Sequence, residues 1–231
     1  RECRNVPVAG RTVIQFGTTS LAYSRQLADA VSRRGGRYIE APVSGSKQQA
    51  ENGTLIGMLG ATREYDFQLA EQLLSVLTAA TYRCGPPGAA MTMKLAVNSY
   101  LIAMMMSLAE SWAFARRLGL DASLFREILD AGPMASTASR GKLAKLVAND
   151  MSAQASVADV LMNAQLVADL ARLHDHPLAL GEAGRRMLER AVAGGHGADD
   201  MIAVAGVLWR NDQPEGCSAN RAEQIKPSAP R

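Results

Sequence analysis

Hydrophobic and polar positions change their rhythm about a third of the way along the chain. Before that point, short β-rich runs alternate with stretches of helical period. Thr12 to Phe16 reads as a strand that ends in Gly17 and Thr18. Residues 20–36, "SLAYSRQLADAVSRRGG", place Leu21, Leu27, Ala28 and Val31 on one helical face and stop at a double glycine. "RYIEAPV" (37–43) predicts a second strand and "TLIGMLG" (54–60) a third, with a polar, glycine-marked turn between them. "TREYDFQLAEQLLSVLT" (62–78) predicts a helix capped at Thr62, carrying Phe67, Leu69, Leu73, Leu74 and Leu77. "ATYRC" (80–84) reads as one more short strand. Strands and helices alternating in this way predict an α/β layer on a mainly parallel sheet.

From Gly88 the strand signals stop. "GAAMTMKLAVNSYLIAMMMSLAESWAFARRLG" has no breaker and is apolar almost all round, which predicts a long, buried central helix. Its methionines, Met91, Met93 and Met104 to Met106, read as adaptable packing. Helical stretches follow at 121–131, 136–148, 156–173, 178–194 and 198–211, separated by short Gly, Pro or Asp signals. The polar, aperiodic end reads as a disordered tail. The expected organisation is α/β followed by all-α: residues 1–87, then a helical unit over 88–211 begun by the long helix, then the tail over 212–231.

Composition narrows the classes. Hydrophobic residues make up 48% of the 231 and charged residues 20%, ordinary for a globular chain. A formal charge of +3, with no Lys/Arg run interleaved with aromatics, argues against a nucleic-acid surface. The longest apolar run, "LIAMMMSLA" (101–109), is short for a bilayer span and is followed by Glu110, so no membrane partner is expected. Cys3, Cys84 and Cys217 form no CxxC pair, and an odd count argues against a disulfide framework; a reducing, cytoplasmic compartment is expected. The loop His174-Asp175-His176 reads as a solvated turn, and no metal site is expected. The opening "RECRNVPVAG" has neither an initiator methionine nor an apolar core, so it predicts no signal peptide and a chain shortened at its N-terminus.

Two places could carry chemistry. In "EAPVSGSKQQAENG" (40–53) a strand opens into Ser44-Gly45-Ser46. Consecutive N–H groups and two hydroxyls there suit a carboxylate or phosphate, and strand ends are where α/β sheets bind ligands. A plain surface loop fits the same pattern. Lys94 and Asn98 stand four apart, on one face of the long helix near its start. A lysine against an apolar wall would have a lowered pKa, useful for proton transfer. A helix rim with Lys94 reaching water fits as well.

Taken together, "EAPVSGSKQQAENGTLIGMLGA", "GAAMTMKLAVN" and the late Gly195-x-Gly197-x-Asp199-Asp200 resemble the β-hydroxyacid dehydrogenase family. That family includes 3-hydroxyisobutyrate and 6-phosphogluconate dehydrogenases. The SGSK turn resembles the glyoxylate/succinic semialdehyde reductase branch, and the likeness runs from about Gly10 to Arg210. The resemblance implies the C-terminal part of a Rossmann-like parallel sheet, a long interdomain helix and a helical bundle that often forms homodimers. It implies hydride transfer between NAD or NADP, with NADPH slightly favoured by the branch, and a small carboxylate-bearing hydroxy acid or its carbonyl partner. Ser44, Gly45 and Ser46 match the substrate-carboxylate turn, Lys94 the catalytic lysine, and Asn98 the substrate-orienting asparagine. Thr18, with Thr19 as the neighbouring candidate, matches the threonine that touches the nicotinamide.

The departures fall on the cofactor side. No GxGxxG loop stands among the residues ahead of Thr18, where a βαβ unit takes about 30 residues. A phenylalanine and a Lys-Asp pair expected further on are replaced by Ala155, Met162 and Asn163, and a glycine ahead of the lysine by Ala90. Three readings stay open: a reductase of this family, a dehydrogenase-derived dimerisation or interaction module without cofactor binding, and an imine reductase on the same fold.

Overall fold

The computed structural model describes residues 7–210. Its first part holds strands β1 (Thr12–Gln15), β2 (Arg37–Glu40), β3 (Val43–Ser44), β4 (Leu55–Gly60) and β5 (Thr78–Gly85). Helices α1 (Leu21–Arg33), α2 (Lys47–Glu51) and α3 (Glu64–Leu74) lie between them. The α/β reading of this part stands, with one correction: the sheet is mixed. β1 and β2 are parallel, and so are β4 and β5, but β4 runs antiparallel to β2 (Glu40↔Gly60) and to β3 (Val43↔Gly57, Ser44↔Ile56). Chain length explains this. Residues 45–54 are too few for a parallel crossover, which takes about a dozen or more, whereas 61–77 are enough to carry α3 between parallel strands.

Proline sets the next local departure. The expected strand 37–43 is interrupted after Glu40, because Pro42 has no N–H for a ladder. Its carbonyl still accepts from the Met58 amide at 2.9 Å, so β2 and β3 lie as one broken strand along β4. The polar turn is not wholly irregular either, since α2 forms within it. At the start of α3, Arg63 and not Thr62 holds the N-cap position, without a side-chain capping bond. The helix end is favoured instead by Glu64 and Asp66 in the first turn, where acidic groups meet the positive end of the dipole. Ile39, Ala41, Leu59, Ala61, Ala70 and Leu74 form the apolar layer between the sheet and α3.

Helix α4 (Ala89–Arg117) runs 29 residues, about 43 Å at 1.5 Å per residue. Beyond it come α5 (Ala122–Ala131), α6 (Thr137–Ala148), α7 (Val157–Leu173) and α8 (Ala179–Ala193), then a 3-10 turn (Met201–Ala203) and α9 (Val204–Arg210). Ile102, Met105, Met106 and Ala109 of α4 pack against Leu143, Val157, Leu188 and Ile202 from four of these elements. Gly184 on α8 allows a close approach, for an added Cβ would meet Met106 and Ile102 at 3.1 and 3.2 Å. The expectation that α4 is apolar all round and buried holds for one side only. Met93, Tyr100 and Phe114, seven or fourteen residues apart, form an exposed stripe; Tyr100 is 71% exposed. By length and composition alone α4 could cross a membrane. Here it contributes much of the helical core and buries Lys94 and Asn98.

The motif Gly195-x-Gly197-x-Asp199-Asp200 has a structural role in this part. Asp200 is fully buried, and both its carboxylate oxygens take Lys142 Nζ at 2.7 Å. The same carboxylate accepts from the Gln154 and Ile202 amides at 2.9 and 3.2 Å, tying α6, the 3-10 turn and the entry to α7 together. His174, Asp175 and His176 are all exposed between α7 and α8, with Asp175 at a left-handed φ of 50°. The expected disordered tail, Cys3 and Cys217 lie outside the described residues.

Candidate active site

Two turns into α4, Lys94 and Asn98 are both buried, 8% and 4% exposed, on the face that packs inward. Neither side chain makes a hydrogen bond or ion pair among the described residues. An ammonium out of water without a partner is destabilised, so burial lowers the Lys94 pKa from its ordinary 10.5 to about 8. The lysine does not reach solvent as a rim residue would. A neighbouring amide and a proton of intermediate strength thus stand side by side, both free to meet a ligand oxygen.

Thr18 and Thr19 follow β1 and lead into α1 through Ser20, whose hydroxyl caps the helix by accepting the Tyr23 amide at 3.1 Å. Both threonines are half-buried. The Thr19 N–H points at Met91 Sδ, 3.4 Å away on the first turn of α4, so this segment abuts the helix that carries Lys94. The Thr18 hydroxyl has no partner among the described residues.

The 44–46 turn leaves the end of β3. Gly45 has φ 138°, in a region that favours glycine, and a Cβ there would meet Leu55 Cδ2 at 2.6 Å. The turn's donors are not all open. Gln49 on α2 folds back so that its amide oxygen accepts from the Ser46 N–H at 2.9 Å and from the Ser46 hydroxyl. An amide oxygen therefore sits where the sequence places a ligand carboxylate. Gln49 was not singled out in the sequence; its place three residues after a Ser N-cap is the signal that points to it. No hydrogen bond joins the turn directly to Lys94 or Asn98 among the described residues.

Glu40 is the second residue that sequence reasoning missed. It is fully buried at the end of β2. Ser24 of α1 donates to its Oε1, and the Met91 amide of α4 donates to its Oε2 at 3.3 Å. The Tyr38 hydroxyl is 2.7 Å from Ser24 Oγ, and burial pushes the phenol up to about 12, so Tyr38 keeps its proton. Gly60 leaves room for the carboxylate, since a Cβ there would lie 2.6 Å from Oε2. An acidic residue at the start of "EAPVSGS" was the visible hint.

On the cofactor-side departures, Ala90 is fully buried and would touch any Cβ added at Gly60, at 3.2 Å. Ala155 packs on the helical core, Met162 is 52% exposed, and the Asn163 amide donates to the Asp159 carbonyl at 2.9 Å. A cavity of about 820 Å³ lies elsewhere, at the N-terminal ends of β1 and β2 beside Arg25, Arg37, Arg63 and Asp66; it includes neither Lys94 nor the turn. The candidate site is thus defined by its residues and not by the large cavity.

Comparison with known proteins supplies the context. Residues 5–85 match the model of the NAD binding domain of 6-phosphogluconate dehydrogenase. Residues 88–208, half of the chain, match that of the NAD-binding domain of NADP-dependent 3-hydroxyisobutyrate dehydrogenase. The chain is 26% identical over 197 residues to the cytokine-like nuclear factor N-PAC of Aedes aegypti, covering 85% of this chain and 35% of that one. Over 133 residues it is 34% identical to glyoxylate/succinic semialdehyde reductase 1 of Arabidopsis thaliana, covering 58% of this chain and 46% of the relative. It therefore spans less than half the length of these two relatives. The crystal structure of 3-hydroxyisobutyrate dehydrogenase from Salmonella typhimurium superposes with a TM-score of 0.80 at 25% identity, over 85% of this chain and 69% of that one. With both halves matched in order, the chain belongs to the 3-hydroxyisobutyrate dehydrogenase-like β-hydroxyacid dehydrogenase family.

Proposed function

We propose that this chain is the substrate-side part of an NAD(P)-dependent reductase that interconverts a small hydroxy acid and its aldehyde or keto acid. The observation that carries the reading is Lys94: buried, unpartnered and beside Asn98 on one helical face. With a pKa of about 8, the side chain is mostly ammonium at pH 7, yet it releases its proton readily. Lys94 Nζ donates to the carbonyl oxygen in reduction and takes the proton back in oxidation, while the Asn98 amide orients the same oxygen. Ser44, Gly45 and Ser46 hold the acid group once Gln49 gives way.

The residues present fit the nicotinamide end of a dinucleotide, since the half-buried Thr18 hydroxyl has no partner among the described residues and the next residue, Thr19, meets Met91 on α4 ahead of Lys94. NAD or NADP, when bound, supplies or accepts the hydride; Thr18 and Thr19 are the residues that would hold it. NADPH is the slightly favoured form, a homodimer through the helical part the proposed assembly, and the cytoplasm the proposed compartment.

Titrating the full chain with NADPH and NADH by fluorescence, and assaying turnover of glyoxylate and succinic semialdehyde, tests this. Lys94→Ala should cut turnover about 10²- to 10⁴-fold and leave cofactor quenching intact. Unchanged turnover sinks the role of Lys94. A second reading, an interaction module without catalysis, is favoured by Met162 and Asn163, neither of which offers a charge. Absence of quenching with either cofactor would select it.

A further inference from the structure

Among the buried ionisable groups that the proposed chemistry does not use, Glu40 sits where the parts of the site meet. We propose that Glu40 is the positioning residue of the site: its carboxylate locks the first turn of α4, and with it Lys94 and Asn98, against both the threonine segment and the strand that leads to the 44–46 turn. This deepens the reading of Lys94 as the proton-donating group.

Glu40 closes β2, so moving it moves Pro42-Val43 and the turn that follows. Oε1 is held by Ser24, one helical turn into α1, whose N-cap adjoins Thr18 and Thr19. Oε2 is held by the Met91 amide, the third N–H of α4. Gly88, at the N-cap of that helix, makes no side-chain capping bond, so the Glu40 carboxylate supplies the cap from another element. A Glu at this place stabilises the helix start by charge as well as by hydrogen bond. The donor chain runs Tyr38 hydroxyl to Ser24 hydroxyl to Glu40, each step buried.

No ion pair neutralises Glu40 among the described residues. The charged and titratable groups around the junction are Tyr38 on β2, Arg25 on α1, Cys84 on β5 and Lys94 on α4. The Arg25 guanidinium lies against Gly88, with Nε 2.9 Å from where a Cβ would stand. Burial pushes the Cys84 thiol up, and the Glu40 charge adds to that. Lys94 lies one turn beyond Met91 on the same helix, and burial lowers its pKa to about 8.

Glu40→Gln keeps the shape and removes the charge. In the full chain, ¹⁵N-lysine NMR would follow the Lys94 titration, its signal identified by loss in Lys94→Met, and hydrogen exchange would follow the Met91 amide. The expected result is a Lys94 midpoint raised from about 8 toward its ordinary 10.5, because loosening the first turn of α4 lets water relieve the desolvation that lowers it. Met91 exchange should quicken about tenfold. An unchanged midpoint or unchanged exchange overturns the proposal, since a residue that only filled space would move neither. Should Glu40→Gln not fold, Ser24→Ala frees Oε1 and should still quicken Met91 exchange; unaltered exchange there overturns it equally. Neither measurement needs turnover, so a chain that reduces no carbonyl would refute the enzymatic reading and leave this one standing.

Discussion

Replacing Lys94 by methionine should make the protein more stable at neutral pH while removing its proton donor. Lys94 is 8% exposed, and burial alone takes its pKa from 10.5 to about 8. In the unfolded chain the group titrates near its ordinary value. Between pH 8 and 10.5 the unfolded state therefore binds more protons than the native state, and stability rises with pH across that window. Below pH 8 both states are protonated, and the native state carries the full cost of a buried ammonium. At 1.36 kcal/mol per pH unit the cost is about 3 kcal/mol. Methionine has similar length and no charge, so Lys94→Met should gain on the order of 3 kcal/mol at pH 7 and almost nothing at pH 10.5. Urea unfolding of both proteins at pH 7, 9 and 10.5 measures this directly. A variant that is less stable at pH 7, or whose difference does not shrink with pH, would refute the claim that desolvation governs this lysine.

Other substitutions probe the remaining parts. Gly45→Ala forces an L-residue into φ 138° and drives a Cβ into Leu55, so it should cost about 1–3 kcal/mol and weaken binding of a small carboxylate such as succinate, read by calorimetry. Gln49→Ala frees both Ser46 donors, and because one internal hydrogen bond is worth about 0.5–1.5 kcal/mol, succinate should bind about 2- to 10-fold tighter; equal or weaker binding would mean the turn is no cradle. Lys142→Met strands the buried Asp200 carboxylate and should cost about 3–5 kcal/mol, seen as a lower urea midpoint, whereas the exposed Lys47–Glu51 pair removed by Lys47→Met should cost at most about 0.5.

Much of the fold was legible because period and punctuation are local. The helices expected at 121–131, 136–148, 156–173 and 178–194 are present, the one expected over 198–211 is a 3-10 turn followed by a helix from Val204, and α1 ends where Arg34-Gly35-Gly36 said it would. The direction of β4 was not legible from its own residues, since an apolar run pairs either way; the short connection 45–54 decides it. Pro42 was in plain view, yet its effect on the strand depends on whether its missing N–H faces a partner. The exposed stripe of Met93, Tyr100 and Phe114 escaped for a related reason: a helix apolar on all sides says nothing about how many of those sides its own chain covers.

The candidate site shows the same division between what a residue is and what surrounds it. Lys94 and Asn98 could be picked out because a polar pair at four-residue spacing is costly on an apolar helix unless something uses it. Glu40 obeys the same logic but stands in a strand, where alternation makes one polar residue ordinary. Only the meeting of three elements gives it weight: Ser24 from α1 and Met91 from α4 both converge on a carboxylate that no cation neutralises. Without a cation, the carboxylate keeps its charge on the helix start, where the Met91 amide meets it. On this argument the turn at 44–46, the threonines at 18–19 and the lysine are set by one buried charge, and changing that charge should disturb all of them together.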